Sequence, residues 1–412
     1  MKLDTLINKM KRLGVSLPSF GTGLNGRILA VDLESALGDY YFDKYFCPGT
    51  SRGLHYQLRR SITPMKAFRY DKLKPTEQVD ALDIDSNEWV AEEKFNGWRI
   101  VVTYIPEDGF CFWSGNISDV NFLPVNYTNH VLLQTKNNKP VDPYFFNECF
   151  IMDTEAVCFD QVETLEGMLS TNTLDAVGAI LGSNTDRATE IQRKNSVTLQ
   201  FMCFDVVFPN SPEALKTPFI HRRENLIQIL ANCNVSNFQL AEQKTKGKRR
   251  FLNSLWARGA EGVVLKNITK PYVSGGRVKT HAIKVKRSMS GEIGDNIDAF
   301  ISGFIITPEY AKRGLIGGLE LSVYTANGRK HHIATVTGIS DTLRKEMTTM
   351  SSGEPCLDER FYNKVVVVDG QELSSRHRKL MHAKIDWLTG FRKDKIASDC
   401  VLDLTDLDEA RY

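Results

Sequence analysis

The feature that most constrains the fold is a series of short apolar segments between residues 88 and 290. These segments have the β-branched and aromatic composition that is typical of β-strands. The predicted strands are 89–94, 99–104, 150–158, 197–208, 262–265 and 283–285. Helices are predicted at 226–231 and 250–257, and helical stretches also occur in the polar connection 160–196. The central part of the chain is therefore predicted to be a mixed domain of strands and helices.

The length of the chain, 412 residues, is too great for one ordinary core, so two or three domains are expected. We predict a small helical module at 1–45, a basic linker at 46–87, the mixed domain at 88–290 and a last domain at 291–412. In the last domain, Gly and Asn interrupt short strands at 300–306, 319–324, 332–337 and 365–368, and residues 312–318 are also interpreted as part of a strand. This pattern predicts a small β-barrel.

The N-terminal module has Leu3, Ile7, Met10 and Leu13 at helical spacing, with Gly14 ending the helix. A Gly-rich loop follows, and a second helix begins near Val31. The outline resembles small two-helix modules, such as peripheral-subunit-binding domains and DNA-binding modules of the SAP type. Binding of DNA, binding of a protein partner, and simple packing on the next domain all remain open for this module.

The chain as a whole carries little net charge, because 52 Lys and Arg nearly balance 50 Asp and Glu. Affinity for a nucleic acid would therefore come from local surfaces. Basic clusters occur at 244–250, 284–287 and 376–379. Residues 46–75 interleave Arg with aromatic residues, which suits contacts to phosphates and bases, or a linker that lies on the main domain.

The eight cysteines include no CxxC pair, which argues against a zinc site and a disulfide framework and favours a reducing cytosol. No apolar run approaches about 18 residues, so no membrane span is expected. The N-terminus lacks the apolar stretch of a signal peptide. We expect a cytoplasmic protein, from a bacterium or a virus-infected host cell, that acts as a monomer.

Six short motifs occur in a fixed order along the chain. They are Glu-Glu-Lys-Phe-Asn-Gly-Trp-Arg at 92–99, Met-Asp-Thr-Glu-Ala-Val at 152–157, Phe-Met-Cys-Phe-Asp at 201–205, Glu-Gly-Val-Val-Leu-Lys at 261–266, Ile-Lys-Val-Lys at 283–286 and Phe-Arg-Lys-Asp-Lys at 391–395. Their order and spacing resemble those of the covalent nucleotidyltransferases, and specifically the ATP-dependent DNA ligases. The resemblance implies an α+β nucleotidyltransferase (ATP-grasp-like) domain, a C-terminal OB-fold β-barrel and a small N-terminal helical module.

Lys94 is the candidate nucleophile. A lysine amine attacks only when it is neutral, and its reference pKa is about 10.4, so neighbouring cations and a desolvated pocket are needed to lower that pKa. Lys284 and Lys286 are the candidate cations. The resemblance implies that Lys94 attacks the α-phosphate of ATP, that AMP then moves to the 5′-phosphate of nicked duplex DNA, and that the 3′-hydroxyl displaces AMP.

Other roles follow from the resemblance. It implies that Glu92 and Arg99 bind the nucleotide, that Phe204 stacks on adenine, and that Glu155 contacts ribose and metal. By periodicity, Phe204 is also compatible with a core position. Asp153 shares one strand face with Glu155, and paired carboxylates can hold Mg²⁺ or ribose hydroxyls. Glu261 is implied to be a second metal ligand, whereas Lys266 is compatible with a plain surface lysine.

Cations at two further places complete the implied site. Lys284 and Lys286 share a strand face, and the repulsion between them is relieved by anions such as triphosphate oxygens. Arg392 and Lys395 are implied to orient the departing pyrophosphate from the OB domain, so closure of that domain would gate the first step. The implied cofactors are ATP and Mg²⁺.

The sequence departs from the family pattern at three positions. Asn96 stands where Asp is usual, Gly115 stands where an arginine usually binds the nucleotide, and His281-Ala282 lacks the usual aromatic residue. Alternatives therefore remain: an RNA ligase, a capping-type nucleotidyltransferase, or a nucleic-acid binder that has lost activity. The segment 294–298 resembles the junction that opens the OB domain of DNA ligases and favours the DNA ligase.

Overall fold

The computed structural model describes most of the chain and divides it into two compact units, Met1–Val285 and Lys286–Tyr412. The described residues are 3–22, 27–45, 49–74, 76–77, 86–118, 121–136, 141–142, 144–159, 162–163, 169–170, 173–211, 213–258, 260–286, 296–370, 378–380, 383–387 and 390–402. Among them, no helix combines the length and the apolar character that a membrane span requires. The cysteines Cys111, Cys149, Cys158, Cys203, Cys233, Cys356 and Cys400 are free thiols.

The first unit begins with three helices: α1 (Leu3–Leu13), α2 (Ala30–Tyr45) and α3 (Ser51–Ser61). Leu6 and Met10 of α1 are fully buried against Leu33 and Leu37 of α2, in a cluster that also includes Phe122. The first two helices were predicted from their apolar spacing, and the structure confirms them. Because Phe122 belongs to the sheet-containing part of the same unit, the helical pair packs on that part.

Helix α3 lies within residues 46–87, the segment that is predicted to be a basic linker. The Thr50 hydroxyl accepts a hydrogen bond from the Gly53 N–H and caps the helix at 3.2 Å. Helical spacing then places His55, Tyr56 and Arg59 on one buried face. These three side chains therefore contact the protein interior, as in the alternative interpretation of a segment that lies on the main domain.

Two sheets form the centre of the first unit. The five-stranded sheet has the order β1-β13-β12-β2-β11, and the six-stranded sheet has the order β10-β9-β6-β3-β4-β5. Their strands, with the separate pair β7 and β8, are β1 Phe68–Arg69, β2 Trp89–Lys94, β3 Trp98–Ile105, β4 Gly109–Ile117, β5 Pro124–Asn126, β6 Phe150–Val157, β7 Val162–Glu163, β8 Leu169–Ser170, β9 Gln200–Val207, β10 Phe238–Leu240, β11 Gln243–Lys244, β12 Gly262–Asn267 and β13 Ala282–Lys286. All six strands predicted between 88 and 290 are confirmed.

Helices cover these sheets and complete their cores. They are α4 (Thr173–Leu181), α5 (Thr185–Asn195), α6 (Phe219–Asn232) and α7 (Lys248–Ala257). The six-stranded sheet packs on α4, α5 and α6 through one apolar cluster, and the five-stranded sheet packs on α7 through another. Short 3₁₀ turns occur at Tyr70–Lys72 and Thr128–His130. The helices predicted at 226–231 and 250–257 lie within α6 and α7.

The second unit is built on a sheet with the order β16-β15-β14-β19-β20, to which β21 adds by pairing with β19 and β22 by pairing with β15. Among the described strands, β16 at one end of this order does not pair with β20 at the other end, so the sheet does not close on itself. The elements are β14 Asn296–Ile305, α8 Pro308–Ala311, β15 Gly318–Thr325, β16 Lys330–Val336, α9 Asp341–Met347, β17 Thr348–Ser351, β18 Glu354–Leu357, β19 Val365–Asp369, β20 Lys384–Ile385, β21 Phe391–Arg392 and β22 Val401–Leu402, with 3₁₀ turns at Glu359–Phe361 and Ala397–Asp399.

The strands predicted at 300–306, 319–324, 332–337 and 365–368 are confirmed, but the prediction of a strand at 312–318 is wrong up to residue 317. Lys312 follows α8 in the right-handed helical region, and Gly314 has φ of +67°, so residues 312–314 form a turn instead of an extended strand. A Cβ on Gly317 would lie 2.6 Å from the Thr307 nitrogen, so this stretch turns back closely on the chain before β15. Residues 294–295 of the expected junction and 376–377 of the third basic cluster lie outside the described residues.

Candidate active site

A cavity of about 250 Å³ in the first unit brings together residues from both sheets. Strands β2, β3, β6, β9, β12 and β13 all contribute to its wall. The residues predicted from the sequence that line it are Glu92, Lys94, Arg99, Glu155, Phe204 and Lys284. Side chains more than 190 positions apart in the chain, such as Glu92 and Lys284, therefore meet at one cavity.

Lys94 is held beside a carboxylate by the register of two strands. It is the last residue of β2 and lies opposite Gly262, the first residue of β12. Glu261 comes directly before Gly262, and its Oε2 forms an ion pair with the Lys94 Nζ. The Lys94 side chain is 23% exposed and that of Glu261 is 10% exposed. The candidate nucleophile is thus largely enclosed and is paired with one of the two predicted metal ligands.

Gly97 lets the chain turn closely between β2 and β3. A Cβ at this position would lie 2.0 Å from the carbonyl oxygen of Ala156. Real Cβ contacts are never this short, so a larger residue would push the turn away from β6. The reason for this glycine is the close approach of a second strand, and that strand also contains Glu155.

Arg99 and Glu155 lie opposite each other on β3 and β6. The Arg99 guanidinium donates to both oxygens of Asp153, with an Nε–Oδ1 distance of 2.7 Å, and the Tyr272 hydroxyl donates to Asp153 Oδ2 at 3.0 Å. Burial by itself lowers the pKa of Arg99, but the charge and hydrogen bonds of Asp153, together with Tyr272 and Glu155, raise that pKa overall. Asp153 therefore fixes the orientation of Arg99, and Glu155 lines the cavity.

The charge of Glu155 is costly in this site. Burial raises the pKa of its carboxyl to about 7, although Lys94 and Arg99 act in the opposite direction, and the negative charges of Glu261 and Asp153 add to the increase. A bound cation would relieve this cost. Within the described residues no group of three or more His, Cys, Asp or Glu is placed to hold a metal. Since Mg²⁺ often binds one or two carboxylates plus phosphates, Glu155 and Glu261 fit the implied ion.

Phe204 lies on the cavity wall between two cations. Its ring is partly exposed, whereas its neighbours on β9, Cys203 and Asp205, are buried. The Arg99 Cζ is 5.6 Å from the ring centroid and the Lys266 Nζ is 4.7 Å from it. A core phenylalanine would be covered like its neighbours, so the position favours contact with a ligand.

Glu92 and Lys266 form a buried ionic group, which corrects the interpretation of Lys266 as a plain surface lysine. Lys266 is 5% exposed, because the antiparallel pairing of β12 with β2 turns it to the interior beside Glu92. Its Nζ lies 2.7 Å from Glu92 Oε2 and donates to the Phe204 carbonyl oxygen at 2.8 Å. Arg223 on α6 pairs with Glu92 Oε1 at 3.2 Å. In the sequence Arg223 does not stand out from an ordinary helical pattern and was not singled out, and Lys266 was assigned no role there.

The two lysines of β13 differ in their surroundings. Lys284 lies opposite Arg69 of β1 and lines the cavity together with Arg277 and Lys66. Lys286 is two residues further along the strand and is 8% exposed. Several cations therefore surround the cavity, and a polyphosphate would balance their charge.

Arg392 and Lys395 belong to the second unit. There the Asp298 carboxylate binds both of them: Arg392 Nη1 is 3.0 Å from Oδ1, and the Lys395 Nζ pairs with Oδ2. Arg392 also donates to both oxygens of Asp394, at 2.8 and 2.6 Å. The two cations predicted to act together are thus held together by one carboxylate.

Gly115 is a departure from the family pattern, and the structure supplies a physical reason for a small residue. A Cβ on Gly115 would lie 3.0 Å from the Arg99 backbone oxygen. The guanidinium of Arg59 lies beside Gly115. Its Nη2 donates to the carbonyl oxygens of Ser114 and Gly115 at 2.9 and 3.1 Å. Burial lowers the pKa of Arg59 to about 10. The role of Arg59 here is to tie α3 to β4.

Comparison with known proteins identifies the family. A model described as the ATP dependent DNA ligase domain matches residues 64–286, more than half of the chain. The chain therefore belongs to the family of ATP-dependent DNA ligase domains. It is 24% identical over 306 residues to a probable DNA ligase of Dictyoglomus turgidum, which covers 72% of this chain and 47% of that protein. It is 23% identical over 267 residues to a DNA ligase of Nitrosopumilus maritimus, with 64% and 41% covered.

The chain spans less than half the length of these two relatives. Among solved structures, a mycobacterial DNA ligase D complexed with ATP and MES is similar over 83% of this chain and 98% of that chain, with 17% identity and a TM-score of 0.36. An ATP-dependent DNA ligase from bacteriophage T7 in complex with ATP is similar over 78% and 97%, with 16% identity and a TM-score of 0.36.

Proposed function

We propose that this chain is an ATP-dependent DNA ligase that seals nicks in duplex DNA and that Lys94 carries the AMP. The observation that carries the proposal is the enclosed Lys94, placed beside Glu261 and Glu155 in a cavity whose wall also presents Phe204 and Glu92. Membership of the ligase family supports the same reaction.

In the first step the neutral amine of Lys94 attacks the α-phosphorus of ATP. A bond forms between Nζ and the phosphorus, the bond to the β-phosphate oxygen breaks, and pyrophosphate leaves. The ion pair with Glu261 positions the amine, and the carboxylate is in reach to accept the proton that Lys94 loses. Lys284, Arg99 and Lys286 supply positive charge for the phosphates.

In the second step the AMP moves from Lys94 to the 5′-phosphate at a nick, and in the third step the 3′-hydroxyl attacks that phosphate and releases AMP. Glu155 and Glu261 would hold Mg²⁺, which supplies charge stabilisation at the phosphates. Glu155 would also contact the ribose, and Phe204 would stack on the adenine.

The second unit is proposed to be the OB-fold domain, with Arg392 and Lys395 orienting the pyrophosphate. Its antiparallel strands and their order along the chain support this assignment. The partner is proposed to be nicked duplex DNA in repair, replication or recombination, and the chain is proposed to act as a monomer. The helices α1 and α2 are proposed to bind DNA or a protein partner, in addition to packing on the first unit.

The test is incubation with α-labelled ATP and, separately, α-labelled GTP, each with Mg²⁺, followed by denaturing electrophoresis. The wild type, Lys94→Ala and Lys94→Arg are compared with Lys244→Ala, which alters a lysine that is 46% exposed and paired with Glu242. We expect label from ATP in the wild type and in Lys244→Ala, and no label in either Lys94 variant.

The competing functions give different results. Label from GTP in place of ATP would identify a capping-type enzyme, and adenylylation followed by joining of RNA strands alone would identify an RNA ligase. A binder without activity would take no label after removal of pre-bound AMP with pyrophosphate, yet it would still bind nicked DNA in a salt-dependent way.

A further inference from the structure

Arg59 of α3 is a buried arginine whose guanidinium donates to three backbone carbonyl oxygens. Its Nη1 donates to the Ile62 oxygen at 3.0 Å, and its Nη2 donates to the oxygens of Ser114 and Gly115. Arg59 is 4% exposed, and its Nε has no hydrogen-bond partner among the described residues. Burial of a guanidinium is costly when one of its donors is not satisfied. A cost of this kind calls for an explanation in what the remaining contacts hold in place.

Strand β4 is irregular where Arg59 contacts it. Between Trp113 and Ile117, β4 has more residues than the segment of β5 that it faces. Ser114 and Gly115 lie within this bulge, and the described pairing of β4 with β3 ends at Ser114. A bulge bends its strand and interrupts the ladder of backbone hydrogen bonds, and bulges are common beside active sites. Arg59 therefore binds the β4 backbone at the point where the described strand pairing ends.

Gly115 supports the side chain of Arg99, which lines the cavity. A Cβ on Gly115 would lie 3.0 Å from the Arg99 Cβ and 3.1 Å from the Arg99 Cγ, so the aliphatic stem of Arg99 lies directly against the bare backbone. Asp153 holds the other end of the same side chain through hydrogen bonds to the guanidinium. Arg99 is thus held at two places, at its tip by a carboxylate and along its stem by β4.

We propose that Arg59 is a positioning residue for nucleotide binding and that it acts by holding the β4 backbone against Arg99. A side chain at position 115 would displace the Arg99 stem, whereas a cation supplied from α3 reaches the same backbone without filling that space. This inference rests on the proposed function, because it concerns how Arg99 is oriented to bind ATP.

The charges at this place are consistent with such a role. Burial lowers the pKa of Arg59, the Asp153 carboxylate raises it, and the charge of Arg99 lowers it. The two guanidinium groups and the carboxylate therefore lie within electrostatic reach of one another. Asp153 keeps Arg59 charged beside a second cation, so the fork of donors stays available to the β4 carbonyl oxygens.

The experiment measures nucleotide affinity and rate separately in Arg59→Met, Arg59→Lys and a matched control, Arg60→Met. Arg60 is the next residue of α3, is 34% exposed and pairs with Asp39 of α2. For each protein, kcat and KM for ATP in the adenylylation of Lys94 are measured. The Kd for ATP is measured in a Lys94→Ala background, where the nucleotide is not consumed. Thermal unfolding is recorded alongside, so that loss of folding is separated from loss of affinity.

We expect Arg59→Met to raise the KM and the Kd for ATP at least about fivefold while kcat changes by less than about twofold, because Arg99 would bind the phosphates in the ground state and the transition state alike. Arg59→Lys keeps the charge but lacks the planar fork, so its Kd should rise at least about threefold. Arg60→Met should keep the KM and the Kd of the wild type.

A double-mutant cycle tests whether Arg59 acts through Arg99. Arg99→Met alone should weaken the binding of ATP, and the addition of Arg59→Met should then change the Kd by less than about twofold, since no guanidinium remains to be positioned. If Arg59 only supports the fold, the two substitutions act independently and their effects on the Kd multiply. That outcome would overturn the inference.

A folded Arg59→Met variant with the KM and the Kd of the wild type would overturn it as well. If Arg59→Met does not fold, Arg59→Lys takes its place in the cycle, and a wild-type Kd in Arg59→Lys is then the contrary result. Failure of the proposed function is a separate outcome, because the wild type would then take no label from ATP, whatever the Arg59 variants bind.

Discussion

At the scale of single residues, the two carboxylates beside Lys94 differ in what their charge does to the fold. Glu261 is paired with Lys94, whereas the charge of Glu155 is costly, since burial raises its pKa to about 7 from the ordinary value of 4.5. The unfolded chain thus loses the Glu155 proton at a lower pH than the folded chain does. Ionisation of Glu155 therefore destabilises the folded state as the pH rises from about 4.5 to about 7.

We expect Glu155→Gln to unfold at a higher temperature than the wild type at pH 8, by roughly 1–3 kcal/mol in free energy of unfolding. The gain should shrink as the pH falls and vanish well below pH 4.5, where Glu155 is protonated in both states, and adenylylation should be lost because an amide cannot replace the carboxylate. Calorimetry at several pH values measures the effect.

Glu261→Gln is the control and should not be stabilised, since it leaves Lys94 without its paired carboxylate. Equal stability of Glu155→Gln and wild type at pH 8 would contradict this account.

The hydroxyl of Tyr272 links Asp153, which holds Arg99, to the backbone at Met65. That group donates to Asp153 and accepts the Met65 N–H at 2.8 Å, and both contacts are buried. We expect Tyr272→Phe to lose about 1–3 kcal/mol of stability, because the Met65 N–H then lacks an acceptor, and to raise the KM for ATP as Asp153 and Arg99 shift. Urea unfolding and adenylylation kinetics measure the two effects.

The matched control for Tyr272 is Tyr104→Phe. The Tyr104 hydroxyl also makes two hydrogen bonds, which are partly buried: it donates to the carbonyl oxygen of Phe146 at 2.9 Å and accepts from the Phe146 N–H at 3.3 Å. This variant should lose stability to a similar extent but keep the wild-type KM. A similar rise of KM in both variants would mean that general loosening of the fold, rather than Asp153, controls nucleotide affinity.

The sequence predicted the residues that belong to short motifs and missed the residues that support them. Lys94, Glu155 and Phe204 were identified because the motifs repeat a known order. The partners Arg223, Tyr272 and Arg59 lie outside the motifs, and their roles depend on contacts made across more than fifty positions of the chain. Burial of a charged residue such as Lys266 is a property of strand register, which a local pattern does not contain.

At the scale of elements, the turn between β2 and β3 couples the nucleophile to the strand of Glu155. We expect Gly97→Ala to destabilise the protein by about 2 kcal/mol or more and to reduce adenylylation at least about tenfold, because the new Cβ would overlap the Ala156 oxygen. The control is Gly338→Ala, where an added Cβ has no atom within 4 Å among the described residues. Thermal unfolding and single-turnover labelling test the pair. Wild-type activity in Gly97→Ala would show that the turn can move without displacing Lys94.

Elements were predicted more reliably than the way they pair. The confirmed strands all have apolar segments of ordinary length, so composition suffices to find them. Their order in two sheets was not predicted, because β2 pairs with β12 and β3 pairs with β6 over long separations. Helix α3 was missed for a related reason: its buried face is made of His55, Tyr56 and Arg59, which a polarity pattern treats as exposed.

At the scale of the whole molecule, each apolar cluster of the described residues lies within one unit. Among those residues, the clusters of the first unit reach Val285 and those of the second unit begin at Ile297. A chain of residues 1–290 should therefore fold with a cooperative transition and bind ATP. It should adenylylate Lys94 at least about tenfold more slowly than the full chain, because Arg392 and Lys395 are missing.

The full-length double variant Arg392→Ala with Lys395→Ala is the control for the shortened chain. It should show the same reduction in rate with both units present, as measured by single-turnover labelling. A wild-type rate in either protein would remove the proposed role of the two cations, whereas a non-cooperative transition of the shortened chain would mean that the first unit depends on the second for folding.

The sequence predicted a change of architecture near residue 290, because the pattern changes there from mixed elements to short strands. The division into four parts, with a separate helical module, remains a prediction. The apolar contacts of α1 and α2 with Phe122 are long-range contacts, and no local composition reveals them.

The enclosure of Lys94 also bears on which electrophiles can reach it. Its side chain is 23% exposed, whereas those of Lys216 and Lys279 are 74% and 47% exposed. Small electrophiles from solvent, such as cyanate, therefore reach those surface lysines more easily than they reach Lys94. The wall that shapes a ligand site around this amine thus also protects the amine from unselective chemical modification.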